Sequence, residues 1–179
     1  MNIGLLALQG AVSEHKIIMR RLDVNTIEVR EGKDVEQLDG LIMPGGESTT
    51  LRKLLKNSNM WKRIKNSKLP IMGTCAGAIL LGKCEDETFA KMDIEIDRNY
   101  YGRQKDSFEA KINLENDESF NGVFIRAPAI KNIGRKVKPI AWKNDEIVGC
   151  IDGENMALTF HPELTDDTLF HRIWLDGIK

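Results

Sequence analysis

Residues 73–77 read Gly73-Thr74-Cys75-Ala76-Gly77, a thiol set between two glycines. The apolar run Leu69-Pro70-Ile71-Met72 precedes them, and the helix-like Ala78-Ile79-Leu80-Leu81 follows. Strand, turn and helix in this order make a nucleophile elbow, here with cysteine in place of serine. A sharp turn lifts one side chain out of the sheet edge, and flanking glycines let the backbone crowd without Cβ clashes. The cysteine then lies at a helix start, where unpaired N–H groups favour a thiolate. The N–H of Ala76 would point to where an oxyanion forms. The plain alternative is a tight turn with a buried cysteine.

A cysteine nucleophile needs a base, and the base needs a group to orient it. The chain has three histidines, His15, His161 and His171. His161 stands in Phe160-His161-Pro162-Glu163, after the apolar Met156-Ala157-Leu158-Thr159. In an extended segment residues two apart face the same side, so His161 and Glu163 would point together, with Pro162 stiffening the backbone. That suits a triad of Cys75 as nucleophile, His161 as general base and acid, and Glu163 holding the imidazole. His15 and His171 fall within helical patterns, which places them on a helix face or in the core.

A third element is Met43-Pro44-Gly45-Gly46-Glu47-Ser48-Thr49-Thr50, between the strand-like Gly40-Leu41-Ile42 and the helix-like Leu51-Arg52-Lys53-Leu54-Leu55. Two adjacent glycines after a strand let main-chain N–H groups approach a ligand, so a peptide around Gly45–Gly46 is a candidate second oxyanion donor. Glu47 could accept from a substrate ammonium. The same segment also reads as a turn in which Ser48 or Thr49 caps the helix.

These pieces need a rigid frame. Strand patterns at 2–8, 26–29, 40–43 and 70–72 alternate with helical patterns at 12–22, 49–56, 61–67 and 76–83, which argues for a parallel sheet covered by helices. The middle changes character: 93–97, 107–114, 122–125, 136–142 and 146–151 read as short strands with polar turns, some of them antiparallel, extending the sheet or forming a flap. Residues 165–178 read as a closing helix with Thr165 as its N-cap. A chain of 179 residues suits one α/β domain spanning 1–179. With 26 basic against 27 acidic residues there is no basic stripe, so nucleic acid is not an expected partner. Cys75, Cys84 and Cys150 lack C-x-x-C spacing, which argues against a disulfide framework or a zinc site; Cys84 and Cys150 read as packed thiols. No basic leader precedes the first apolar run, and Gln9 and Glu14 interrupt it. Neither a signal peptide nor a membrane span is expected, and the expected location is the cytoplasm.

The chain resembles the class I, triad-type glutamine amidotransferases, and among them the glutaminase subunits of pyridoxal 5'-phosphate synthases. The resemblance rests on Gly4-Leu5-Leu6-Ala7-Leu8-Gln9-Gly10-Ala11-Val12, Pro44-Gly45-Gly46-Glu47-Ser48-Thr49-Thr50, Gly73-Thr74-Cys75-Ala76-Gly77, Arg98-Asn99, Gly102-Arg103-Gln104, Asp106-Ser107-Phe108-Glu109-Ala110, Gly122-Val123-Phe124-Ile125-Arg126-Ala127-Pro128 and Phe160-His161-Pro162-Glu163-Leu164. The elbow and His-Pro-Glu segments alone mark only a class I glutaminase; Phe-Ile-Arg-Ala-Pro and Gly-Arg-Gln make the match specific. The related histidine-pathway glutaminases share the triad but not the former segment. Cysteine peptidases and stress proteins with a similar elbow often carry histidine directly after the cysteine, where this chain has Ala76.

The resemblance implies a three-layer α/β/α, flavodoxin-like fold with a mostly parallel central sheet and added antiparallel strands. It implies hydrolysis of L-glutamine to glutamate and ammonia, without metal or cofactor. It carries substrate binding onto Gly46, Glu47, Ser48, Arg98, Ile125 and Arg126. An arginine suits the α-carboxylate, while Glu47 or a main-chain carbonyl suits the α-ammonium; Arg98 and Arg126 could equally form structural ion pairs. The ammonia would pass to a separate synthase (lyase) subunit in a hetero-oligomer, docked near Gln9 and Gly10. A catalytically silent regulatory subunit is the non-enzyme alternative, against which the intact Cys75, His161 and Glu163 speak. One departure is visible: 83–92 is short and charged where relatives usually carry a longer segment with a Gly-Leu pair.

Overall fold

A computed structural model of the chain describes residues 1–100, 107–116 and 118–178; Gly102-Arg103-Gln104 and Asp106 lie outside them. The first half alternates as β1 (Ile3–Leu6), α1 (Val12–Arg21), β2 (Thr26–Val29), β3 (Gly40–Met43), α2 (Ser48–Asn57), α3 (Met60–Asn66), β4 (Ile71–Thr74) and α4 (Ala76–Leu81). The second half is mostly strand: β5 (Ile94–Asp97), β6 (Ser107–Asn113), β7 (Ser119–Ile125), β8 (Ala129–Ile133), β9 (Lys138–Lys143), β10 (Glu146–Asp152) and β11 (Asn155–Leu158), closed by α5 (Leu169–Gly177).

Among the described residues, nine strands form one sheet in the order β2-β1-β3-β4-β11-β10-β9-β6-β7, and β5 pairs with β8 in a separate ribbon. The pairs β2/β1, β1/β3, β3/β4 and β4/β11 are parallel. From β11 outward, through β10, β9, β6 and β7, every pairing is antiparallel. The expected parallel sheet with an antiparallel extension is therefore present.

The central strands are buried on both faces, as apolar runs without polar alternation require. Within β3, Leu41 and Met43 join one core cluster while Ile42 joins the other, because successive side chains alternate across the sheet. The first cluster takes Leu51 and Leu55 of α2, Met60, Trp61 and Ile64 of α3, and the wholly buried α4. The second takes Met19 of α1, Phe170, Trp174 and Leu175 of α5, and the rings of Phe120, Phe124 and Phe160. Helices thus cover both faces, giving three layers.

Three local expectations are corrected. The closing helix begins at Leu169, not Thr165: the Thr165 hydroxyl donates to the Pro162 carbonyl at 3.0 Å, closing a 3-10 turn over Pro162–Leu164. The cap of α2 is Glu47, not Ser48 or Thr49. Its longer side chain accepts from both the Thr49 and Thr50 N–H groups, while Ser48 is buried at the first helical position. Strand β8 falls at 129–133, which carried no strand expectation; it binds β5 rather than the main sheet.

In an open α/β sheet, ligands bind beyond the carboxyl ends of the strands where the order reverses. Here β1 has β2 on one side and β3 on the other. Gln9-Gly10 follows β1, Gly45-Gly46 follows β3, Cys75 follows β4 and His161 follows β11. The four segments with chemical character leave the same end of the parallel sheet.

Candidate active site

Cys75 has φ 48° and ψ −103°, a conformation that a non-glycine residue holds only when its surroundings force it, at a cost of about 1–3 kcal/mol. Its N–H donates to the Leu158 carbonyl at 2.8 Å, and its carbonyl accepts from the Ile79 N–H at 3.1 Å. The flanking glycines let the turn close. A Cβ on Gly77 would lie 2.1 Å from the Met43 carbonyl oxygen, and one on Gly73 would lie 2.6 Å from the Gly77 backbone. The thiol is thereby raised at the start of α4, next to Ala76, with only 6% of the residue exposed.

His161 and Glu163 meet as the sequence predicts, by a different backbone. Pro162 opens a 3-10 turn rather than continuing an extended segment, and the turn folds the carboxylate back beneath the ring. The distance from Nδ1 to Glu163 Oε1 is 2.8 Å. The His161 N–H donates to the Val123 carbonyl at 2.8 Å, which ties this turn to β7. Burial works against charge on the ring. The neighbouring Cys75 sulfur and the hydrogen-bonded Glu163 carboxylate outweigh it and raise the imidazole to about 10. The carboxylate stands on Nδ1, while Nε2 is buried and has no hydrogen-bond partner among the described residues, the neighbouring Cys75 thiol lying 3.7 Å from the Ile125 carbonyl; the negative charge beside the ring favours an imidazolium.

The glycine turn is the third wall. A Cβ on Gly45 would lie 2.5 Å from His161 Cε1 and 3.2 Å from Cys75 Cβ, so only glycine fits there. Its carbonyl is seated against Gly10, where a Cβ would come within 1.9 Å of the oxygen; Gly10 itself has φ +91°. Gly46 has φ +142° and lies against the Gln9 side chain, whose Oε1 accepts from the Glu47 N–H at 3.2 Å. The turn after β1 and the turn after β3 thus form one packed unit.

The remaining predicted positions divide into two groups. Ile125, at the end of β7, presents its carbonyl oxygen 3.7 Å from Cys75 Sγ, and Arg126 follows it, exposed, at φ 44°. Arg98 lies instead at the start of α2: it donates to Thr49 Oγ1 at 3.1 Å, stands 3.6 Å from Glu47 and bonds Asp86. Desolvation opposes ionisation of Glu47, but the Thr49 and Thr50 donors hold its carboxyl down at about 2. That carboxylate already serves the helix end and Arg98. Arg98 and Glu47 are therefore partners of one another, the ion-pair alternative for Arg98, while Arg126 makes no ion pair among the described residues.

Two features were not assigned to the site. Asp86, in the short charged segment, bonds Arg98 and stands 3.3 Å from Arg52, so this segment reaches the α2 end of the site. His15 and His171 are fully buried and in contact, with His15 behind Glu163. Their signal in the sequence was histidine at positions where amphipathic helices put apolar residues. The other thiols are apart: burial, with Asp152 adding, pushes the Cys150 thiol up to about 12, and Cys84 bonds the Asp86 carbonyl.

This fold is that of the glutamine amidotransferases. A solved structure titled a glutamine amidotransferase aligns with a TM-score of 0.90 at 39% identity, covering 98% of each chain. A glutamine amidotransferase from Thermotoga maritima shares the fold at a TM-score of 0.63 and 14% identity, covering 98% of this chain and 83% of that one. The chain belongs to the SNO glutamine amidotransferase family, whose model matches residues 5–178. Similar proteins include the pyridoxal 5'-phosphate synthase subunit PdxT of Oenococcus oeni, 44% identical over 100% of this chain and 97% of that one. The protein of the same name from Methanocaldococcus jannaschii is 46% identical over 93% and 92%.

Proposed function

We propose that this chain is the glutaminase subunit of a pyridoxal 5'-phosphate synthase, releasing ammonia from L-glutamine for a separate synthase subunit. The observation that carries the reading is the His161 ring, hydrogen-bonded to Glu163 and beside Cys75, with Gly45 packed on its edge. The names of the similar proteins supply the synthase and the partner. No helix among the described residues is long and apolar enough to cross a membrane, and the proposed setting is the cytoplasm.

In this reading Cys75 Sγ attacks the side-chain amide carbon of glutamine. The carbonyl oxygen takes the electron pair and is held by the Ala76 N–H and by a peptide N–H of the Gly45–Gly46 turn; losing one such donor costs about 3 kcal/mol. The tetrahedral intermediate collapses as the imidazolium of His161 protonates the leaving nitrogen. Ammonia departs and a γ-glutamyl thioester remains. His161, now neutral, takes a proton from water; the hydroxide adds to the thioester carbon, and the thiolate leaves as glutamate forms. Glu163 fixes the ring and stabilises its charge through both steps. Substrate is held by Gly46, Ser48 and Ile125 backbone groups, with Arg126, which makes no ion pair among the described residues, for the α-carboxylate and Glu47 and Arg98 shaping the α2 side.

The test is glutamate and ammonia release from L-glutamine by this chain with its synthase partner, together with mass-spectrometric trapping of the acyl group. Hydrolysis with a γ-glutamyl adduct on Cys75 is expected. Absence of hydrolysis by a complex shown to assemble overturns the reading.

A further inference from the structure

Glu163 leaves a question that the triad does not answer. Its Oε1 meets His161, but its Oε2 is buried and has no hydrogen-bond partner among the described residues. A buried carboxylate oxygen without a donor is costly. The nitrogen that stands before it is His15 Nε2, at 3.5 Å, with both side chains fully buried. His15 comes from α1 and Glu163 from the turn before α5, so two elements on one face of the sheet meet here.

The groups around His15 fix how it can act. Its Nδ1 lies 2.8 Å from His171 Nε2 on α5, and its Nε2 lies 3.5 Å from the Thr74 hydroxyl on β4, the residue before the nucleophile. Glu163 is the carboxylate at hand, and His161 the other ring that acts on it. Burial, with the neighbouring His171 and His161, keeps His15 neutral, and burial holds His171 down at about 3. Each ring therefore carries one proton. If that proton were on His15 Nδ1, the Nε2 lone pair would face the carboxylate, and His171 would be left with a buried N–H on Nδ1, which has no partner. With the proton on Nε2, the carboxylate gains a donor, His171 Nε2–H donates to His15 Nδ1, and the orphan on His171 is a lone pair, the less costly kind.

We infer that His15 is a positioning residue: it donates Nε2–H to Glu163 Oε2, and His171 sets that tautomer, so that two neutral histidines hold the carboxylate that orients His161. The inference rests on the proposed triad. It adds to it a chain running from His171 on α5 through His15 on α1 and Glu163 to the His161 ring.

Two measurements test it. In wild-type protein with 15N-labelled histidines, imidazole 15N–1H correlation spectra should show both His15 and His171 protonated at Nε2. Protonation of His15 at Nδ1 overturns the inference whether or not the chain hydrolyses glutamine, so its failure is distinct from failure of the glutaminase reading. The second measurement compares two substitutions in the assembled complex. His15→Asn keeps a polar atom near the Nδ1 position and loses the reach to Glu163. His15→Gln puts an amide N–H near the Nε2 position. His15→Asn should lower kcat by about ten- to a hundred-fold, with KM for glutamine within about three-fold, since a donor to a charged group is lost. His15→Gln should recover most of that loss. Equal activities in the two variants, both folded by circular dichroism, overturn it.

Discussion

Of the three thiols, Cys75 alone is held at a strained φ and beside an imidazole, and function should follow that difference. Cys75→Ala should abolish glutamine hydrolysis while the fold persists, whereas Cys84→Ala and Cys150→Ala should leave turnover within about two-fold, having no contact with the reacting atoms. Residual glutaminase activity in folded Cys75→Ala would end the nucleophile assignment. His161→Ala should cost as much as Cys75→Ala, because triad members act as a unit. Glu163→Gln should cost less: an amide still holds the ring but does not stabilise its charge, and full activity would remove Glu163 from the triad. The proton on His161 offers a further check. Its folded value is raised, so its contribution to stability is fully present below the ordinary 6.5 and is lost as pH rises through about 10. Cys75 supplies part of what raises it, so in Cys75→Ala the His161 Hε1 resonance should titrate at lower pH than in wild type. An unchanged titration would uncouple ring and sulfur.

At the scale of elements, the two glycine turns decide whether the site closes. Gly45→Ala puts a methyl group against His161 and Cys75, and Gly10→Ala puts one against the Gly45 carbonyl. Both should lower kcat by at least about a hundred-fold, Gly10→Ala without touching the triad, because small displacements of an oxyanion turn are expensive. An active Gly10→Ala would separate the two turns. Glu47→Ala removes the cap of α2 and should lower stability in urea by about 0.5–2 kcal/mol. The elements around these turns were legible in the sequence, since β1, β3 and β4 are apolar runs ended by glycine and α1 and α2 have helical spacing. Legibility failed where side chains compete locally. Thr165 and Glu47 both offer oxygens to nearby N–H groups, and only the reach of each side chain decides which helix end it serves. It failed also for β8, whose residues pair with a strand more than thirty positions away. That Cys75, His161 and Glu163 lie together was readable because their neighbours are dictated by backbone shape. The contact of His15 with Glu163 was not, since it depends on two helices packing on one face.

For the whole molecule, the issue is what keeps a glutaminase from idling. Cys75, His161 and Glu163 are 6%, 7% and 3% exposed, so the isolated chain presents its reacting groups through little open surface. The wall of the site is the Gly45–Gly46 turn, whose carbonyl rests on Gly10 after β1 and whose next residue is tied to Gln9. Turning that peptide exchanges a C=O for an N–H, and two adjacent glycines permit the rotation at little steric cost. A partner docking on the turn after β1 would therefore act on the proposed oxyanion donor. The short 83–92 segment is fixed to α2 by Asp86 with Arg52 and by Glu87 with Lys56, and Asp86 also bonds Arg98, which follows β5. The α2 end of the site is thus already braced within the chain, and the β1 end is the adjustable one. A synthase subunit contacting Gln9–Gly10 would select the productive peptide orientation, which is conformational selection by differential binding. Glutamine hydrolysis by this chain alone should then be weak and should rise by at least about ten-fold in kcat on addition of its synthase subunit. Gln9→Ala should blunt that rise more than it lowers the basal rate, and Asp86→Asn should change the basal rate and leave the fold-rise intact. Full activity in the isolated chain, unaltered by a synthase subunit shown to bind it, would sink the coupling; a rise that survives Gln9→Ala undiminished would move its origin away from the β1 turn.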